Sequence, residues 1–178
     1  MPQQKQINRL HFSTVKIRRI RKFKPQRIAW KPEGLWFSVQ CDEEGWRGWW
    51  EWCIAEEFRD VWKQHCYELE LDLTRILQLG ETDLAPFTDQ YGLPDRSGYI
   101  NWASVAEDYA GIEISPYCYS YRLDRRIGTW YYGWDCASGC VWDRTVVTRF
   151  QPFRGQLPPR EVKYDNDDFD DSVGDLER

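Results

Sequence analysis

One of the two histidines in this chain of 178 residues, His11, lies in the segment LHFST. In a β-strand its side chains alternate, so that Leu10 and Phe12 point to one face and His11 and Ser13 to the other. An imidazole beside a hydroxyl can hydrogen-bond a ligand, although a histidine on a surface or edge strand gives the same pattern. His11 and Ser13 are therefore candidate ligand-binding residues.

The segment KPEGLWFS contains a second group of candidates. Pro32 fixes its own φ and favours an extended Lys31, while Gly34 allows a close approach of the backbone to another group. Trp36 and Ser38 lie on one face of the following strand. An aromatic plane, a hydroxyl and open backbone suit a planar heterocycle with an amide, and they equally suit a covered core strand.

Other kinds of chemistry find less support in the sequence. Cys136 and Cys140, together with His65 and Cys66, could supply four metal ligands, but their spacing differs from that of structural zinc sites, and we expect no metal. Phosphate-binding glycine loops and the GxSxG motif of serine hydrolases are absent. Carboxylates are numerous, and nothing in the spacing selects a catalytic pair.

The elements that must position these residues can be predicted from apolar periodicity and from turn and cap residues. Helices are predicted over 46–58, from Thr82 to Gly92, and over 102–109 with Asn101 as N-cap. Turns are predicted at 42–45 and 138–139. Strands are predicted over 10–20 (as one or two), 34–39, 66–73, 75–79, 112–115, 129–135 and 140–150.

This pattern predicts an α+β fold around a mixed or antiparallel sheet with a few short helices. We expect a single aromatic-rich domain over residues 1–152, in which eleven tryptophans serve as core or as stacking surfaces. Residues 153–178 are predicted to form a disordered acidic tail, because seven acidic residues in 163–178 leave too little apolar surface for a core.

Charge is distributed unevenly along the chain. The first 31 residues hold ten Lys and Arg and no Asp or Glu, although the whole chain has a net charge of −5. This asymmetry predicts either a basic edge against an acidic body or a surface for anions or nucleic acid. The N-terminal MPQQKQINRL lacks an apolar signal core and no stretch is long enough for a membrane span, so a cytoplasmic protein with reduced thiols is expected.

The order of these segments resembles that of ADP-ribosyltransferase-like proteins over about residues 8–150. LHFST is followed by KPEGLWFS, a Trp-rich helix, LELDLTRILQL, DYAGIEI and WYYGWDCASGCVW. The resemblance implies a split β-sheet that binds NAD, with a His or Arg on the first strand and an aromatic or hydroxyl residue on the next. The glutamate usual at the start of the closing strand has no clear match, and Asp135, Ser138 or Glu113 would take its place.

The resemblance implies cleavage of the nicotinamide–ribose bond of NAD and transfer of ADP-ribose to an unknown acceptor, without a metal. His11, Asp135 and Ser138 would then be catalytic, His11 donating to a ribose hydroxyl. Nicotinamide would stack on Trp36 or Tyr131, and its carboxamide would bind the Gly34 backbone. The remaining binding residues would be Ser13 and Ser38, with Lys16, Arg18 and Lys31 near the diphosphate.

Two alternatives remain open from the sequence. The chain could be a non-catalytic binding module for a nucleotide, nucleic acid or protein, or an adaptor of a mobile genetic element. The NAD interpretation gains strong support if His11, Trp36, Tyr131 and Ser138 line one cleft. It should be dropped if His11 and Trp36 lie on opposite faces of the sheet.

Overall fold

A computed structural model describes residues 7–41, 48–58, 64–96 and 98–157. Seven strands form one mixed sheet: β1 (Ile7–Ser13), β3 (Leu35–Cys41), β4 (His65–Leu71), β5 (Ile76–Leu79), β7 (Gly111–Ile114), β8 (Ser138–Val141) and β9 (Val147–Pro152). Their order is β5-β7-β8-β3-β1-β4-β9, and only β5 and β7 pair in parallel. Strands β2 (Ile28–Ala29) and β6 (Ile100–Asn101) form a second, small sheet.

Three short helices accompany the sheets, so the predicted α+β class is confirmed: α1 (Trp49–Ala55), α2 (Leu84–Tyr91) and α3 (Trp102–Asp108). Helix α3 starts where the sequence predicted, because the Asn101 side chain accepts a hydrogen bond from the Ser104 backbone N–H at 3.3 Å. None of the described helices is long and apolar enough to cross a bilayer.

Both faces of the large sheet are covered by apolar side chains. On one face Ile112, Ile114 and Cys140 pack with residues of α2, α3 and the Trp130–Trp134 segment. On the other face Phe37, Val39 and Leu69 form a second cluster. We call the face with Ile112, Ile114 and Cys140 the helix face, and the face with Phe37, Val39 and Leu69 the open face.

The pairing between β1 and β3 stops part-way along both strands. Their ladder runs from Ile7 opposite Cys41 to Leu10 opposite Ser38 and ends there. Beyond this point β1 continues beside β4 as far as Ser13, and β3 continues beside β8 as far as Leu35. The two central strands therefore separate after Leu10 and Ser38, as the split sheet implied by the resemblance requires.

Several sequence-based assignments of elements were wrong. Residues 129–135 were predicted as a strand, but Tyr131–Gly133 form a 3₁₀ turn. Residues 138–139 were predicted as a turn, but they begin β8. The predicted strand over 10–20 ends at Ser13. At 138–139 the local turn signal was overridden by pairing of β8 with β3 and β7, distant strands to which a window of sequence is blind.

Two further predictions concern residues outside those described, namely the turn at 42–45 and the acidic tail from residue 158 onward.

Strand β5 exists as predicted, but it pairs with β7 rather than with its neighbour in sequence, β4. Near the end of the described chain, Leu157 packs on the cluster around helix α1.

A buried ion pair joins β1 to β7 on the open face. Arg9 Nε lies 2.6 Å from Glu113 Oε2, and Arg9 Nη2 lies 3.1 Å from Oε1. Ser115 Oγ also donates to Oε1 at 3.1 Å. The two charged side chains are only 13% and 4% exposed, so each depends on the other for compensation.

We expect Glu113→Gln to lower the free energy of unfolding by about 3–5 kcal/mol, because it leaves the Arg9 guanidinium buried without a counter-charge. Urea denaturation followed by tryptophan fluorescence measures the change. The matched control is Glu70→Gln, which removes the exposed pair with Arg149 (56% and 53% exposed) and should cost less than about 1 kcal/mol. Equal losses for the two variants would contradict the role of burial.

Candidate active site

A cavity of about 390 Å³ lies where β1 and β3 separate. It takes residues from β1, β3, the start of α1 and the turn before β8. Its lining includes Leu10, His11, Phe12, Lys31, Trp36, Phe37, Ser38, Trp49, Gln64, Gly133, Trp134, Asp135, Cys136 and Ser138. Six of the nine residues that the sequence selected therefore meet here: His11, Lys31, Trp36, Ser38, Asp135 and Ser138.

The requirement that one cleft hold four particular residues is met in part. His11, Trp36 and Ser138 line the cavity, and Tyr131 does not. Because Leu10 is paired with Ser38, strand alternation assigns His11 and Trp36 to opposite faces. Both reach the same cavity nevertheless, since it lies in the gap between the two strands rather than above one face.

The imidazole of His11 bridges this gap. Its Nδ1 lies 2.6 Å from the backbone oxygen of Trp36, and since a carbonyl only accepts, Nδ1 carries the proton. Burial lowers the pKa of His11, and the bond to Trp36 offsets this only in part. In the neutral ring Nε2 is then an acceptor, so the expected donation to a ribose hydroxyl is reversed: the hydroxyl would donate to Nε2.

Lys31 covers the ring of Trp36. The ammonium nitrogen lies 5.3 Å from the centre of the Trp36 ring and 5.7 Å from that of Trp30, within range of cation–π attraction. Burial lowers the pKa of Lys31, and the nearby charge of Asp135 opposes this shift. Any ring that stacks on this face of Trp36 must share it with Lys31 or displace it.

Asp135 supplies the carboxylate of the cavity. Burial raises its pKa, while Lys31 and Arg122 act in the opposite direction. A guanidinium nitrogen of Arg122 lies 3.6 Å from Asp135 Oδ1, and this guanidinium also lies over the ring of Tyr132 at 4.8 Å. The carboxylate thus has cationic neighbours, Lys31 and Arg122, from two connecting segments far apart in the chain.

The two serines face each other across β3 and β8, where Ser38 pairs with Ser138. Ser38 Oγ accepts the backbone N–H of Trp49 at 2.7 Å and so holds the first turn of α1 against the sheet. Ser138 Oγ donates to the Cys136 carbonyl at 2.9 Å, which leaves its lone pairs as acceptors. Both hydroxyls are nearly inaccessible to solvent.

Three of the sequence-selected residues lie outside the cavity lining. Tyr131 is fully buried, and its hydroxyl accepts the N–H of Cys118 at 2.8 Å. Ser13 Oγ donates to the carbonyl of Val15 at 2.8 Å, closing a local turn after β1. Gly34 brings the backbone close to β8, since a Cβ there would overlap the Val141 carbonyl oxygen. Its missing side chain therefore serves strand packing, and Gly34 is not among the residues that line the cavity.

The other expected partners of a ligand also lie elsewhere. Glu113, one of three candidates for the acidic position, is committed to Arg9 on the open face. Lys16 and Arg18 line a separate groove. Within the described ranges, no group of three or more His, Cys, Asp or Glu is placed to hold a metal ion.

Sequence reasoning missed Trp134 as a cavity residue. It is 1% exposed, its ring centre lies 4.9 Å from that of Trp36, and its indole N–H has no hydrogen-bond partner among the described residues. In the strand predicted over 129–135, alternation would have separated Trp134 from Asp135. The observed turn lets both line the cavity, and only a correct assignment of that turn would have revealed this.

Comparisons with protein-family models, curated proteins and solved structures gave no match. What the cavity can do is therefore judged from its own groups. Indole planes at Trp36 and Trp134, an acceptor on His11, hydroxyls at the β3–β8 pair and a carboxylate at Asp135 suit an aromatic heterocycle joined to a sugar. A carboxylate in a partly dry site also stabilises positive charge that develops on such a sugar.

We expect the imidazole of His11 to titrate below its ordinary pKa of 6.5, because burial disfavours its charged form. The unfolded chain then takes up this proton at a higher pH than the folded chain, so stability falls as the pH drops from 6.5 towards the folded pKa. NMR titration of the imidazole C–H signals, assigned with His11→Gln, measures the value. A midpoint at or above 6.5 would contradict the buried, neutral ring.

Gly34→Ala should lower the free energy of unfolding by about 1–3 kcal/mol, because the added methyl group overlaps the β8 backbone. Gly80→Ala is the control, since a Cβ there would lie 3.5 Å from Asp83 Oδ2, in ordinary contact. Chemical denaturation of both variants tests the difference. A Gly34 variant as stable as the control would return this glycine to the list of possible ligand contacts.

Proposed function

We propose that this protein binds NAD in the cavity between β1 and β3 and cleaves the nicotinamide–ribose bond, transferring ADP-ribose to an acceptor. One observation carries the proposal. Six residues chosen from the sequence for this chemistry line one cavity, although they come from three segments far apart in the chain, around residues 11, 31–38 and 135–138. Their arrangement depends on the separation of two central strands, the feature that the family resemblance implied.

The cavity has the size and lining for one end of the dinucleotide. Its 390 Å³ lies near the lower end of the range of about 300–1,000 Å³ for small-molecule sites. Nicotinamide and its ribose would lie among Trp36, Trp134 and Asp135, with the rest of NAD extending outwards. The aromatic walls would exclude water from the bond that breaks.

Cleavage would proceed through positive charge on the ribose. The electrons of the bond between C1′ and the ring nitrogen pass to the nicotinamidium, which leaves as neutral nicotinamide, and C1′ becomes an oxocarbenium ion. The carboxylate of Asp135 would stabilise this cation. His11 Nε2 would accept a hydrogen bond from a ribose hydroxyl and so orient the sugar. The acceptor's oxygen or nitrogen then bonds to C1′ and loses its proton to solvent.

Lys31 adds a condition to this mechanism. Nicotinamidium and the ammonium group are both cations and compete for the same face of Trp36. Binding would therefore displace Lys31 towards an anion, either Asp135 or the diphosphate of NAD. If Lys31 and Arg122 instead keep Asp135 fully engaged, the cavity would bind NAD without cleaving it, which is the second candidate function.

Calorimetric titration with NAD and mass spectrometry of released nicotinamide test the proposal. We expect Trp36→Ala to abolish detectable binding. Asp135→Asn should bind NAD but release nicotinamide about 10²–10³-fold more slowly, since it removes the charge nearest the cation. Ser13→Ala, outside the cavity, is the control and should match the unaltered protein.

The outcomes separate the two candidate functions. Binding with nicotinamide release that is lost in Asp135→Asn supports the transferase. Binding without release identifies a nucleotide-binding module. If calorimetry detects no NAD binding and no nicotinamide is released, both candidates are wrong.

A further inference from the structure

We propose that a basic groove formed by the segment after β1 binds the phosphate backbone of nucleic acid. The groove has a volume of about 760 Å³, nearly twice that of the cavity between the strands. It is lined by Val15, Lys16, Ile17, Arg18, Arg19, Ile20, Arg21, Phe23 and Leu35. Four of these nine residues are cations and none is acidic. The inference stands apart from the proposed NAD chemistry.

The cations of the groove are exposed, and no ion pair within the described part of the chain compensates them. Lys16, Arg18, Arg19 and Arg21 are all exposed to solvent, and the ion pairs recorded among the described residues include none of them. Farther along the same segment, Arg27 is paired with Glu33 at 2.7 Å. The groove therefore concentrates positive charge within about a Debye length, although the chain as a whole is acidic.

A neighbouring cavity differs from the groove in having carboxylates among its lining residues. Lys22 and Lys24 line a second cavity, of about 660 Å³, together with Glu107 and Asp143. The lining of the groove, in contrast, contains no carboxylate. Of these two cavities, the groove therefore offers an anion the field that fewer negative charges oppose.

The groove is attached to the core although its segment has no regular secondary structure. The backbone N–H of Ile17 donates to the Tyr67 hydroxyl at 2.7 Å. Ile20 and Phe23 pack against the open-face cluster, and Gln26 hydrogen-bonds the backbone of Glu33 in both directions. These contacts hold the backbone in place before a ligand arrives, which reduces the entropy lost on binding.

A nucleic acid satisfies this groove better than a single phosphate would. Four cations along six residues match a repeating polyanion, because each can neutralise a different phosphate of one strand. The apolar residues beside them, including Val15 at 66% exposure, offer surface for sugars and bases without adding hydrogen-bond readout. We therefore expect binding that depends on salt and little on sequence.

Fluorescence anisotropy of a short labelled single-stranded DNA of mixed sequence tests the proposal on the full chain. Four phosphate contacts give a salt slope of about −3, so affinity should fall roughly fifty-fold between about 50 and 200 mM salt. Changing Arg18, Arg19 and Arg21 together to Ala should weaken binding at least about tenfold and reduce the slope by about 2. The triple change to Lys should restore most of the binding, which rules out a folding defect.

The matched control changes Arg96, Arg125 and Arg154 to Ala. These exposed arginines lie outside the groove, so their loss alters the net charge equally but should leave the affinity within about twofold. Equal weakening by both triple variants would overturn the assignment to the groove, as would the absence of binding at about 50 mM salt.

One competing occupant is the chain's own acidic C-terminal segment, which the same assay distinguishes. Changing Asp167, Asp168, Asp170 and Asp171 to Asn in the full chain removes four of its charges. If DNA binds this variant but not the unaltered protein, the groove belongs to that segment and the proposal is wrong. DNA binding by the unaltered protein that these changes strengthen less than about tenfold supports nucleic acid as the occupant.

Discussion

The separation of β1 and β3 beyond Leu10 and Ser38 is the constraint on which the candidate site depends. Backbone groups freed from a ladder must find other partners, because leaving them unpaired inside a protein costs as much as a lost hydrogen bond. Here the imidazole of His11 donates to the Trp36 carbonyl in the opened part of the ladder, and the Ser38 hydroxyl accepts a hydrogen bond from the Trp49 N–H at the start of helix α1. Both His11 and Ser38 also line the cavity.

The groups around this gap also determine one another's charge. Lys31 and Asp135 are both partly buried. Burial lowers the pKa of Lys31 and raises that of Asp135, which favours the neutral form of each, while the attraction between their charges opposes both shifts. Arg122 adds a second cation beside the carboxylate. A ligand with a positive ring and negative phosphates would offer its ring to Asp135 and its phosphates to Lys31 and Arg122. No charge would then be left unpaired.

The sheet is held around the gap by contacts between distant parts of the chain. The Arg9–Glu113 pair ties β1 to β7 across two intervening strands, and Gly34 lets β3 lie close against β8. These contacts explain why a glycine and a glutamate that resembled ligand-binding residues have structural duties instead. Segments of regular alternation, such as β4, were predicted well because their burial pattern is local. The Tyr131–Gly133 turn was not, because aromatic residues favour strands unless packing prevents it.

The sequence by itself determined the α+β class, the start of helix α3 at Asn101 and the uneven charge, and it identified six of the fourteen residues that line the cavity. These follow from residue type and short-range periodicity, which act over a few neighbours. Only the tertiary structure decided that His11 and Trp36 meet in a gap between strands, that Trp134 joins Asp135, and that Tyr131 and Gly34 lie outside the lining of the cavity. The physical reason is that strand register and strand separation are decided by pairing energies between residues far apart in the chain, which no local pattern records.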